Sequence, residues 1–196
     1  MVAVENRLKG QGFKSFASAV ESLFGEEALQ AWVSALPDSV RSAWIYGEIV
    51  AGGWYPISWY RNFHEALHTT RPWETELSRR VSMEATKSDL QGVYRFVLRY
   101  MSPHTIMGQA PRIFGLYNRG GSVSVMENMD DLVVLAYDDC HGADRNIWED
   151  VIGATVATIE SCRVRVVNAA ILDGGDTLPW MVCRIRWEVR WRVNLG

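Results

Sequence analysis

Apolar positions recur at helical spacing in the first half of the chain and at alternate positions in the second. Phe13, Phe16, Val20, Leu23 and Phe24 form one helical stripe, with Ser15 as a candidate cap. After Gly25, the residues Ala28, Leu29, Trp32, Val33 and Leu36 repeat the pattern as far as Pro37. "AGGWYP" (51–56) interrupts it, since two glycines and then a proline cannot continue a helix. From Ser58 a short helix carries Tyr60, Phe63 and Leu67 on one side and ends before Pro72. A longer helical region follows to about Met101, with Leu90, Val93, Tyr94, Val97 and Leu98 as its stripe. Pro103, Gly108, Pro111 and Gly115 then break the chain into short turns.

Beyond Gly120 the period changes. "GGSVSVMENMDDLVVLAYDD" predicts a β-hairpin, and "DRNIWEDVIGATVATIES" an amphipathic helix with Ile147, Val151, Ile152, Thr155 and Ile159 inward. "CRVRVVNAAIL" and "WMVCRIRWEVRWRV" predict two strands joined across "DGGDTLP". The last strand alternates most cleanly. Met181, Cys183, Ile185, Trp187, Val189, Trp191 and Val193 share one face; Arg184, Arg186, Glu188, Arg190 and Arg192 share the other. The expected fold class is α+β: a helical N-terminal half, then an antiparallel β-β-α-β-β sheet packed against helices. Residues 1–44 read as a helical extension, and residues 45–196 as an α+β ligand-binding-like domain forming one compact unit.

Composition narrows the function classes. At 48% apolar, the 196 residues suffice for a sizeable core. A net charge of -3 and a pI near 5.8 argue against a generic nucleic-acid binder. Cys140, Cys162 and Cys183 have no C-x-x-C spacing and suit a reducing compartment. With no signal-like apolar run at the N-terminus and no membrane-length apolar window, the expected location is cytoplasmic, with no membrane partner.

One stretch spells a catalytic motif. His64-Glu65-Ala66-Leu67-His68 fits H-E-x-x-H, in which residues four apart bring two imidazoles to one Zn²⁺ and the glutamate deprotonates its bound water. Glu74 is the candidate third ligand; Glu76 or Glu84 could replace it. Against this, the sixty residues before the motif read as helical, where a peptidase would place a sheet, and both histidines flank the Tyr60/Phe63/Leu67 stripe. A boundary helix is the preferred reading and a zinc hydrolase the alternative. His104, and the Cys140/His141 pair, lie in loops without ligand-spaced neighbours. The arginine face of the last strand, with Arg163 and Arg165 beside it, could bind an anion or RNA. Eight acids between Glu127 and Asp150, against Arg145 alone, make a salt-bridged sheet face the favoured alternative.

The runs "GGWYPISWYRNFHEALH" and "YMSPHTIMGQAPRIFGLYNRGGSVSV" resemble a paralogous family of myxobacterial proteins. That family is distantly similar to the haem-NO-binding and 4-vinyl-reductase-like superfamily of ligand-sensing domains. The pieces that carry the likeness are Trp54-Tyr55-Pro56 before a helix, Ser102-Pro103, and Tyr117…Gly120-Gly121 entering a hairpin. It implies a packing helix at "HEALH", a fold that encloses or caps a small-molecule pocket, and a tendency to form homodimers. The superfamily's haem-propionate motif Y-x-S-x-R is not matched by Tyr117-Asn118-Arg119-Gly120, and three scattered cysteines do not make a metal cluster.

The expectation is thus a non-catalytic cytoplasmic sensing or regulatory module for a small apolar ligand or a protein partner. No cofactor is expected, zinc being the alternative. Trp54, Tyr55, Trp59 and Tyr60, beside the Gly-Gly break, are the candidate ligand rim, with ordinary core packing as the competing reading.

Overall fold

The computed structural model describes residues 5–90 and 100–189, and every structural statement below concerns these. The chain opens with a short strand, β1 (Arg7–Lys9), and turns directly into α1 (Gly10–Phe24). α1 has no side-chain cap. Ser15, the expected cap, instead lies inside the helix and donates to Asp89 at 2.7 Å. The first amides of α1 are satisfied from a distant turn: Gly10 N–H donates to Gly53 O and Gln11 N–H to Ala51 O, each at 2.9 Å. Glycine is required at position 10, because a Cβ there would stand 2.0 Å from the Val50 carbonyl oxygen.

α2 (Glu26–Ala35) and α3 (Asp38–Ile45) follow, then β2 (Trp54–Pro56), α4 (Ile57–Thr70) and α5 (Leu77–Asp89). Phe13, Phe16, Trp32 and Phe63 are fully buried and meet edge to face or tilted at centroid distances of 4.7 to 5.7 Å. Trp32 Nε1–H donates to the Phe63 carbonyl at 2.9 Å, which ties α2 to α4. The stripe expected at 93–98 lies outside the described residues. α6 (Pro103–Met107) is capped by Ser102, whose hydroxyl accepts from Thr105 N–H at 3.1 Å, and α7 (Ala110–Tyr117) leads into β3 (Asn118–Arg119).

Two antiparallel sheets result. The small one, in the order β2-β1-β3, pairs Leu8 with both Tyr55 and Asn118. The large one contains β4 (Ser122–Asn128), β5 (Leu132–Asp138), β6 (Val164–Gly174) and β7 (Met181–Val189), ordered β4-β5-β7-β6. α8 (Arg145–Glu160) intervenes between β5 and β6 and is capped by Asp144, which accepts from Ile147 N–H at 2.9 Å. The fold class is therefore α+β, with the helices grouped towards the N-terminus and the predicted β-β-α-β-β order. The inward face of β7 follows its alternation from Met181 to Trp187, since Met181, Cys183, Ile185 and Trp187 are at most 3% exposed. Val189, expected on the same face, is 64% exposed at the end of the strand, and Trp191 and Val193 lie outside the described residues. On α8 the buried residues are Ile147, Trp148, Ile152, Gly153, Val156, Ala157 and Ile159, whereas Val151 and Thr155 are only part-buried. One apolar cluster runs from Phe13 through α4, α5 and α8 to Trp187.

Candidate functional site

A buried polar network lies where α4, α5 and α8 meet. His64 and His68, one helical turn apart, both point at a single atom: Ser78 Oγ is 3.0 Å from His64 Nδ1 and 3.0 Å from His68 Nε2. Ser78 is the second residue of α5, which begins after Glu76 in a left-handed conformation (φ 51°). On its other edge, the His64 ring finds the Asp150 carboxylate of α8, with Nε2 to Oδ1 at 3.5 Å. Tyr60 donates its hydroxyl to the same Oδ1 at 3.0 Å, and Ser82 donates to the Asp150 carbonyl at 2.7 Å.

Burial first, and the Asp150 charge second, hold the Tyr60 phenol well above its ordinary range, so it remains a donor. Burial, then the neighbouring His64, lowers His68 from the usual imidazole value. The His68 end of the network opens on a cleft of about 330 Å³ that Ser78, Arg79, Arg145, Asn146 and Glu149 also line. Although Ser78, His64 and Asp150 have the composition of a hydrolytic triad, Ser78 is 2% exposed and its hydroxyl is engaged by two imidazoles. Its oxygen is committed to the two rings rather than to the cleft it borders.

This geometry corrects the zinc alternative. Ser78 Oγ occupies the point on which the two imidazoles converge. Glu65, the would-be general base, faces solvent beside Arg61, 3.6 Å away. Glu74 is taken up by Arg71 and Arg80, whose hydrogen bonds hold its carboxyl below the usual range. Glu76 pairs with Arg79 at 3.6 Å, and Glu84 accepts from Ser22 at 3.0 Å. Among the described residues no group of three or more His, Cys, Asp or Glu is placed to hold a metal.

The four aromatics after the Gly-Gly break are divided by the fold. Tyr60 is 6% exposed and belongs to the buried network, so it forms no rim. Trp54, Tyr55 and Trp59 are half-buried. Tyr55 stacks on Trp59 at 5.9 Å, and its hydroxyl accepts from Val50 N–H and donates to Glu48 O. Trp54 lies under the Arg119 guanidinium at 4.2 Å. A second open cleft, of about 370 Å³, lies nearby, lined by Lys9, Gln11, Ala51, Gly52, Leu116 and Tyr117 but by none of the four. On the outer sheet face Arg165 pairs with Glu188, and Arg186 stands 3.9 Å from Asp131; Arg190 and Arg192 lie outside the described residues. Sequence reasoning missed Ser78 and Asp150. Neither has a motif around it, and Asp150 reads as one more member of an acidic run.

No family model matches the chain, and no curated protein matches it either. Solved structures do. A Fe(II) unliganded H-NOX protein mutant from K. algicida superposes with a TM-score of 0.71 at 15% identity, covering 93% of this chain and 98% of that one. An oxygen-binding H-NOX domain related to soluble guanylate cyclases gives 0.65 at 10% identity, covering 92% and 95%. A third, from work on haem redox potential and porphyrin distortion, gives 0.64 at 10%, covering 94% and 96%. The chain therefore has the H-NOX fold, in keeping with the distant resemblance to haem-NO-binding domains.

These neighbours overturn the expectation of a fold without a cofactor, since their names carry iron, bound oxygen and haem. The described donors of this chain, however, do not fit a haem iron. His64 and His68 are committed to Ser78, and His104 and His141 are exposed. Burial raises the Cys140 and Cys162 thiols to about 11 and that of Cys183 to about 12.

Proposed function

We propose that this chain is a non-catalytic sensing module in which binding of a small ligand shifts the helical layer relative to the large sheet. The observation that carries this reading is the H-NOX likeness over nearly the full length of both chains, 93% of this one and 98% of its neighbour. Two features of the chain agree with it. The buried polar network of α4, α5 and α8 contains no side chain presented for catalysis. Asp150 of that network sits on α8, whose opposite side packs on the sheet, so the two layers share one helix. Among the described residues no helix is long and apolar enough to cross a membrane.

The test is an absorbance spectrum of the purified chain, taken as isolated and after addition of one equivalent of hemin. Thermal unfolding with a panel of small apolar ligands completes it. A Soret band equivalent to one haem per chain would identify a haem-based sensor. A ligand-dependent rise in unfolding temperature without that band would identify a sensor of another small molecule. If neither hemin nor any apolar ligand changes spectrum or stability, the reading fails.

A further inference from the structure

The His64 ring carries a discrepancy. It is fully buried, yet its Nε2 has no hydrogen-bond partner within ordinary reach, and the closest acceptor, Asp150 Oδ1, is 3.5 Å away. Its other ring nitrogen, Nδ1, is engaged by Ser78 Oγ at 3.0 Å. We propose that Tyr60, Asp150, His64, Ser78 and His68 form a single-proton relay that carries a proton from the cleft at His68 to the buried contact between α4 and α8.

One arrangement of hydrogens in the neutral network fills both contacts of Ser78 Oγ and turns an N–H rather than a lone pair towards the Asp150 carboxylate. His68 Nε2–H donates to Ser78 Oγ, Ser78 O–H donates to His64 Nδ1, and His64 Nε2–H points at Asp150, which also accepts from Tyr60. The free acceptor of the pair is then His68 Nδ1, on the ring that lines the open cleft. A proton from solvent adds there. The Nε2 proton of His68 passes to Ser78 Oγ, and the former Ser78 hydroxyl proton passes to His64 Nδ1. One proton has entered and one positive charge has arrived beside Asp150. His68 is again neutral, now with its hydrogen on Nδ1 and with Nε2 accepting from Ser78. The long His64–Asp150 contact becomes a buried ion pair and draws α4 towards α8.

A second proton is opposed by the same serine. With both rings carrying N–H groups towards Ser78 Oγ, its own hydrogen would have no acceptor at a position 2% exposed. The pair therefore holds one proton, not two. The charged groups around it agree. On α5, Arg79 is paired with Glu149 and Glu76, and Asp89 is held by Ser15 and Gln11. On α8, Asp144 is the cap, Arg145 lines the cleft mouth, and Asp150 is the acceptor. α1 faces the network with the Phe13 and Phe16 rings. The device depends only on this helical contact and goes beyond the ligand reading above.

The test is ¹⁵N NMR of the histidine side chains of the whole chain from pH 8 to 5, with near-UV circular dichroism recorded on the same samples. In the unmutated chain, His64 is expected to gain the imidazolium signature while His68 remains neutral and exchanges its tautomer. Ser78→Ala cuts the relay, so His68 should take the proton itself and His64 stay neutral; Asp150→Asn should likewise leave His64 neutral. Protonation of His68 itself in the unmutated chain, identical curves in Ser78→Ala, or loss of the near-UV signal before His64 titrates would each overturn the proposal.

Discussion

Gly153 lies where α8 crosses α5, and its replacement by alanine tests whether this crossing is close-packed. A Cβ at 153 would stand 2.5 Å from the Arg79 carbonyl oxygen, 3.0 Å from Ser82 Cβ and 3.1 Å from Arg79 Cα. Two of these three atoms are backbone and cannot rotate away, so the helices must part. Parting them weakens the dispersion contacts along the crossing and stretches the 2.7 Å bond from Ser82 to the Asp150 carbonyl. Overpacking of this kind costs about 1–3 kcal/mol. Alanine returns part of that, since it is favoured over glycine inside a helix by about 1 kcal/mol. The 2.5 Å approach to a backbone oxygen puts the cost at the upper end of that range, so the net expectation is a loss of roughly 1–2 kcal/mol. Urea unfolding followed by tryptophan fluorescence measures it as a lower midpoint at unchanged slope. Gly12→Ala in α1 is the control, because its Cβ would meet only side-chain atoms of Leu8, at 3.1 Å or more, and no backbone. That variant should be neutral or slightly stabilised. A Gly153→Ala protein as stable as the unmutated chain would refute the close-packed crossing.

Two further outcomes are expected. Burial holds His68 neutral in the folded chain, whereas in the unfolded chain it takes a proton as the pH falls below about 6.5, so stability present above that value is lost on acidification. The urea midpoint should therefore drop between pH 7.5 and 5.5, and drop less in His68→Gln; an equal drop in both would remove His68 as the cause. The three thiols, raised by burial to about 11, 11 and 12, should resist a thiol reagent at pH 8 and react only when urea unfolds the chain. Rapid labelling of the folded protein would contradict their burial.

What the sequence determined by itself is whatever local period encodes. Alternation along β7 assigned Met181, Cys183, Ile185 and Trp187 to the core face, because neighbouring side chains on a strand must point to opposite sides. The stripe of Phe13, Phe16 and Val20 likewise fixed the inner side of α1. Tertiary structure decided the rest. β1, β2 and β3 are too short for any period and exist only because Arg7–Lys9 meets chain that lies about fifty and 110 residues further on. The same distinction holds at the site. The sequence set His64 and His68 on one face but could not say what they face. α5 folding back places Ser78 Oγ at their meeting point, and α8 brings Asp150 from the far half of the chain. A motif fixes the direction of side chains within one helix; only packing between helices supplies the atom they bind. Here that atom is a serine oxygen where a zinc ligand set would need the metal.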